Sequence, residues 1–329
     1  MKTTQFLRAV LCLVLPAAVA AGAVSAQDAG YPNHPIKLLV GFGAGGGTDI
    51  VARILAQRMS ESLGQSVVVE NRTGASGMIA AQDVAKSPPD GYTLMMGSQT
   101  TFAVAPILYR KTVTLDPAKD FAGVTLTGAS PLVLVANPSF PAHSVADLIA
   151  MAKANPGKIN FGTGGVGTTP HMTAELFEYN AGIRMVHIPY RGEAPAIDDT
   201  VAGQIPLMFA NQSAVMGHIK GGTLRAIAVA SAQRVPTAPD VPTVAETIPG
   251  FAAETWFGIV APAGTPADVI EKLNGTARQA LEEVATRQRL AQLGMSNRSS
   301  TPGEFDAYIK SEIAKWAKVI AEAHIAAQN

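Results

Sequence analysis

Apolar and polar positions along this chain recur in one order: a short apolar run, a turn of glycines or small polar residues, then an apolar stripe at helical spacing. Ile36-Lys37-Leu38-Leu39-Val40 reads as a buried strand. Five glycines follow between Gly41 and Asp49, and Ile50, Val51, Ile54, Leu55, Met59 and Leu63 then share one face of a helix that Gly64 ends. The β-branched run Gln65–Asn71 predicts a second strand, Met78–Lys86 a short helix, Pro88-Pro89-Asp90-Gly91 a turn and Tyr92–Met96 a third strand. Gly97–Thr101 follows as a small polar loop. Such alternation implies a parallel sheet whose ligand crevice lies beyond the carboxyl ends of the strands, with 42–49 and 98–101 on one rim.

The nearly continuous apolar stretch 121–137 is too long for an ordinary strand and reads as a crossing between domains. Ser144 opens a helix with a capping-box pattern, and Asn155-Pro156-Gly157 stops it. The opening arrangement then returns: strand 158–161, glycine-rich loop 162–167, and a helix over 172–179 with Thr168 or Thr169 as cap and Pro170 in the first turn. Strands are expected at 185–192, 205–211 and 224–230, a helix at 194–202, and an ordered surface connection at 236–249. Thr255–Val260 is the return crossing. Two more helices start at Thr265-Pro266 and Thr301-Pro302, the last packing through Phe305, Tyr308, Ile309, Ile313, Trp316 and Ile320.

Residues 1–26 stand apart from this pattern. Lys2 and Arg8 precede a small and apolar stretch broken by Pro16, and Val24-Ser25-Ala26 is a cleavage-type sequence, so this is an expected export signal rather than a span. It holds the only cysteine, Cys12, behind Leu11 where a lipoprotein site wants a small residue. The chain beyond it therefore has no disulfide, thiolate chemistry or Cys-ligated metal. Charge is balanced, with 25 basic and 25 acidic residues overall, which offers nothing to nucleic acid or an anionic membrane. What remains of the 329 residues exceeds one typical core and suits two domains.

The two glycine loops carry the candidate chemistry. Each meets a helix start, where unpaired N–H groups and the helix dipole suit a carboxylate or phosphate. A plain strand-to-helix turn without a ligand is the competing reading. Gly41–Gly46 and Gly162–Gly167 both match G-x-G-x-x-G, which makes an exported dinucleotide-dependent enzyme the rival function. Glu70 lies too far along for the ribose acid, expected about 20 residues after the motif. There is no G-x-S-x-G and no H-E-x-x-H, and the six histidines are scattered, so no catalytic residue, metal or cofactor is expected. His171 could touch a ligand or be structural; Arg191 could pair with a carboxylate or be solvated. Asp49 is expected to cap its helix or to pair with Arg53. Four hydrogen bonds to a charged ligand, at about 1.5–3 kcal/mol each, would approach the roughly 8 kcal/mol of micromolar binding.

The segments 45–53 (Gly-Gly-Gly-Thr-Asp-Ile-Val-Ala-Arg), 68–72, 88–94, 186–192 (Val-His-Ile-Pro-Tyr-Arg-Gly), 224–229, 241–246 and 256–266 resemble, in order, the Bug-type receptors of tripartite tricarboxylate transporters. The resemblance implies an α/β, type II periplasmic-binding fold: two domains, each a mainly parallel sheet flanked by helices, joined by two crossing strands. The domains would be 27–124 with 256–329, and 125–255. It implies a periplasmic, monomeric receptor that hands a small carboxylate to membrane permease subunits; a ligand-presenting partner of a sensor is a further alternative. The implied ligand-binding residues are Phe42, Gly43, Gly45, Gly46, Gly47, Thr48, Ser98, Thr100, Thr101, Gly164, Gly167, Thr168, Thr169, His171, Tyr190, Arg191 and Asn211. Gly41 and Ala44 depart from the usual prolines, which suggests a looser first loop, and Ser76 and Met78 replace a usual glycine and asparagine. Ala210 departs from a common aspartate, which argues against an amino-group contact there.

Overall fold

The computed structural model describes residues 30–322; the expected leader lies outside them. In the first lobe β1 (Ile36–Val40) is flanked in parallel by β2 (Val67–Asn71) and β3 (Thr93–Ser98), with α1 (Gly47–Leu63) and α2 (Met78–Ala85) as the connections. Gly64 takes the left-handed conformation that closes α1. Beyond β3 the structure departs from the expected polar loop. The strand runs on to Ser98, and Thr100–Val104 winds at once into a wide π-helical turn leading to α3 (Ala105–Leu108). Phe102 explains this, since its ring is buried between Trp256 and Phe121, with centroids 6.2 and 5.7 Å away.

After α4 (Pro117–Asp120), the apolar stretch forms one strand, β4 (Phe121–Ala136). Register shifts near Gly123–Thr125 and Leu126–Gly128 bend it. It changes partners along its length and so carries the crossing. In the second lobe follow α5 (Val145–Ala154), β5 (Asn160–Thr163), α6 (Thr169–Ala181), β6 (Val186–Pro189), α7 (Glu193–Val201), β7 (Leu207–Asn211), α8 (Gln212–Lys220) and β8 (Arg225–Val229). Back in the first lobe lie β9 (Glu254–Pro262), α9 (Ala267–Glu282), α10 (Val284–Gln292), β10 (Ser296–Asn297) and α11 (Pro302–Glu322). Through Pro131, β4 pairs antiparallel with β9; from Leu132 it pairs antiparallel with β7 and β8. β5 lies parallel to both β6 and β7, and the strand order is β2-β1-β3-β9-β4-β7-β5-β6.

Period-two alternation shows why these strands read as solid apolar runs. Leu132, Leu134, Leu207 and Phe209 enter a core with Phe161, Phe177 and Phe251, while Val133, Val135, Met208 and Ala210 enter another with Ile197 and Val215. Both faces of the second-lobe sheet are therefore covered. In the first lobe α11 lays Phe305, Ile309, Trp316 and Ile320 against Trp256, Val260 and Met95. Among the described residues no helix is long and apolar enough to cross a membrane.

Candidate functional site

The first loop is pinned by an acid. Asp49 is buried in the first turn of α1; its carboxylate accepts from Gly45 N at 3.0 Å, Arg53 Nε at 2.9 Å and Asn71 Nδ2 at 2.8 Å. Burial alone would raise its pKa, but these hydrogen bonds outweigh it and hold the carboxyl below its ordinary value. Asn71 Nδ2 also donates to Phe42 O at 2.9 Å. Gly45, at φ +82°, supplies the left-handed step that brings its N–H to Asp49. The loop expected to be loose is thus tied at both ends.

The second loop is held by hydroxyls and imidazoles. Thr163 Oγ1 accepts from Gly165 N at 3.2 Å and lies 2.6 Å from His187 Nε2. Thr168 caps α6 and donates to Gly165 O at 2.8 Å. His171 Nδ1 accepts from Gly167 N at 3.1 Å, its Nε2 lies 3.3 Å from Glu175 Oε1, and its ring stacks on His187 at 4.1 Å. Both nitrogens of His171 are engaged within the lobe, so its place here is in the framework of the loop. The turn after β6 packs on the same loop: Tyr190 N donates to Thr163 O and Gly192 N to Gly164 O, at 3.0 and 3.2 Å. A Cβ on Gly164 would stand 3.0 Å from Glu193 N, so this approach needs glycine.

The helix starts α1 and α6 line one inner crevice, with Phe42, Gly46, Gly47 and Thr48 from the first loop and Gly164, Thr168 and Thr169 from the second. Ser98, Thr100 and Asn211 complete the expected part; Pro170, Glu193 and Thr255 were not expected. The crevice measures only about 30 Å³, space for a water or two. The expected anion between the helix starts has no room in this closed arrangement, because the lobes satisfy each other's donors. Gly47 N donates to Glu193 Oε2 at 3.1 Å. Thr169 N donates to Thr100 Oγ1 at 2.8 Å, and the two threonine hydroxyls lie 3.1 Å apart. Ser76 Oγ donates to Val166 O.

Phe42 and Gly164 also line a second, outer chamber of about 460 Å³, with Ser76, Tyr109, Tyr190 and Arg191. Tyr190 presents its ring there, since its hydroxyl donates to Asp199 at 2.6 Å. Burial and that carboxylate push the phenol up to about 12. Gly43, Gly45, Thr101, Gly167 and His171 line neither space. Phe209 and Ala210 are spent in the two cores of the second lobe, and only Asn211 of that strand end reaches the crevice.

Glu193 is the residue that local reading missed. It accepts from Asn211 N at 2.5 Å and from Asn211 Nδ2 at 3.1 and 3.0 Å, besides Gly47. Burial pushes its carboxyl above the ordinary value, against the pull of those hydrogen bonds. In sequence it looks like an acid serving the dipole of its own helix α7; only the tertiary pairing with Gly47 shows otherwise.

Comparison with known proteins agrees with this architecture. Residues 51–325 match the model of the tripartite tricarboxylate transporter family receptor. Protein BugT of Bordetella pertussis is 38% identical over 323 residues, spanning 98% of each chain. The structure of periplasmic binding protein BugD superposes with a TM-score of 0.87 at 34% identity, covering 91% of this chain and 100% of BugD. Rpa4515 of R. palustris, solved with adipate, superposes with a TM-score of 0.87 at 37% identity, covering 90% and 99%. The fold is accordingly that of a two-domain periplasmic binding protein, and the chain belongs to the tripartite tricarboxylate transporter receptor family.

Proposed function

We propose that this chain is an exported, periplasmic solute receptor. It captures a small carboxylate, a di- or tricarboxylate or an aromatic acid, between its lobes and delivers it to the permease subunits of a tripartite transporter. It acts as a monomer, without catalysis or cofactor. The observation that carries this reading is the outer chamber: about 460 Å³ between two glycine-rich loops, with Arg191 among its lining residues. That volume suits a small organic acid, and a guanidinium pairs with a carboxylate through two parallel bonds. The acid's other end would face the inner crevice, toward Gly47, Thr48, Ser98 and the Thr168-Thr169 start of α6. Adipate in the related Rpa4515 supports the same ligand class. The paired G-x-G-x-x-G loops serve this reading as strand-to-helix turns, leading into α1 and α6. The domains would be 27–124 with 256–329, and 125–255, with the crossing strands as the hinge.

Calorimetry of the purified protein against di- and tricarboxylates, aromatic acids and amino acids tests it, together with native mass spectrometry for co-purified ligand. Binding of at least one acid at micromolar strength is expected. A folded, ligand-free protein silent toward every acid would overturn the reading.

A further inference from the structure

Of the residues lining the inner crevice, Glu193 alone carries a charge. It begins α7 in the second lobe, yet its carboxylate sits on the first N–H of α1 in the first lobe. A Cβ on Gly46 would lie 3.5 Å from Glu193 Cβ and 3.7 Å from its Oε2, so this side chain fills the space in front of the helix start. All of its hydrogen-bond partners are donors: Gly47 N, Asn211 N and Asn211 Nδ2. This is the set that an incoming acid would use. One more buried group along the crevice, the Thr255 hydroxyl, has no hydrogen-bond partner and can donate to an incoming carboxylate. Of the polar ties between the lobes, Glu193–Gly47 is charge-assisted, whereas Thr100–Thr169 and Ser76–Val166 are neutral.

We infer that Glu193 is a tethered competitor: it occupies the anion position at α1 in the ligand-free protein, holds the lobes closed, and must be displaced by the carboxylate of an entering acid. The inference rests on the receptor reading of the cleft. It also sets specificity. A monoacid only exchanges one anion for another at α1, with little gain. A diacid makes the same exchange and adds a second carboxylate at Arg191 in the outer chamber. Glu193 thereby selects acids with two charged ends.

The test compares the wild type with Glu193→Ala and Glu193→Gln, all shown folded by circular dichroism. Small-angle scattering of the ligand-free proteins reads the latch, and calorimetry with adipate and hexanoate reads the competition. Glu193→Ala is expected to raise the radius of gyration and to tighten hexanoate at least tenfold, more than it tightens adipate. Glu193→Gln, which turns an amide N–H toward donors, is expected to move in the same direction by less. Unchanged scattering in both variants, or hexanoate affinity unchanged or weakened, would overturn the inference. So would unfolding of both variants, since the carboxylate would then belong to the fold rather than to a latch. If neither acid binds wild type or variant, the competition at α1 is overturned for these acids and the carboxylate reading falls only with the full acid panel, while scattering still decides whether Glu193 holds the lobes.

Discussion

Single residues in this molecule act through the space they leave or the proton they hold. Gly46 leaves space: alanine fits there at 3.5 Å from Glu193, but the branches of valine reach into the crevice. Gly46→Val is expected to weaken binding of a captured diacid at least tenfold, with the melting temperature within a few degrees of wild type; unaltered affinity by calorimetry would show that the loop is only a turn. Protons matter at His187 and Glu178. Burial, aided by His171 and opposed by Glu175, lowers His187 from 6.5 to about 3. Between those values the unfolded chain holds a proton that the folded one does not, so stability falls as pH falls. Burial raises Glu178 from 4.5 to about 7, against its bond from Met185 N. Between those values the folded chain holds the extra proton, so stability falls as pH rises. The two oppose each other between pH 4.5 and 6.5. Glu178→Gln keeps an acceptor for Met185 N and is expected to uncover the His187 slope: thermal melts should show steeper loss below pH 6.5 than in wild type. Parallel curves would refute this assignment.

At the scale of elements, caps and stripes were readable because their causes are local. The Ser144–Asp147 capping box, the Thr301–Glu304 box and the apolar stripe of α11 appear where the pattern places them. What the stripe did not reveal is its polar clamp. Buried Glu312 accepts from Trp256 Nε1 at 2.9 Å and Trp316 Nε1 at 3.3 Å, and Lys315 Nζ lies 3.2 Å from its other oxygen, so α11 is fastened to β9. Glu312→Leu strands a buried indole N–H, and a loss of about 1–3 kcal/mol in denaturant unfolding is expected, with ligand affinity unchanged. Helices α8 and α10 were not read from the sequence. Their apolar content is weak, and α8 begins directly after the end of β7, where Asn211 at the N-cap makes no side-chain capping bond and instead donates its amide to Glu193.

At the scale of the whole molecule, closure is a set of contacts between residues far apart in sequence. Thr100 contributes twice, as acceptor for Thr169 N and as partner of its hydroxyl. Thr100→Val keeps the shape and removes both; at about 0.5–1.5 kcal/mol for each, a loss of ligand affinity of roughly five- to 150-fold is expected by calorimetry. A loss below twofold would mean that closure does not depend on this pair. The sequence by itself determined the two α/β lobes, the crossing strand and the paired glycine loops, because strand burial, turn geometry and helix starts depend on residues that are near neighbours. It also placed ten of the expected binding residues on the crevice wall, since a strand end and the helix it feeds share one rim. Only the tertiary structure decided what occupies the helix starts. Glu193 and Gly47 meet across 146 positions, and no local pattern records a hydrogen bond formed when one lobe folds onto the other.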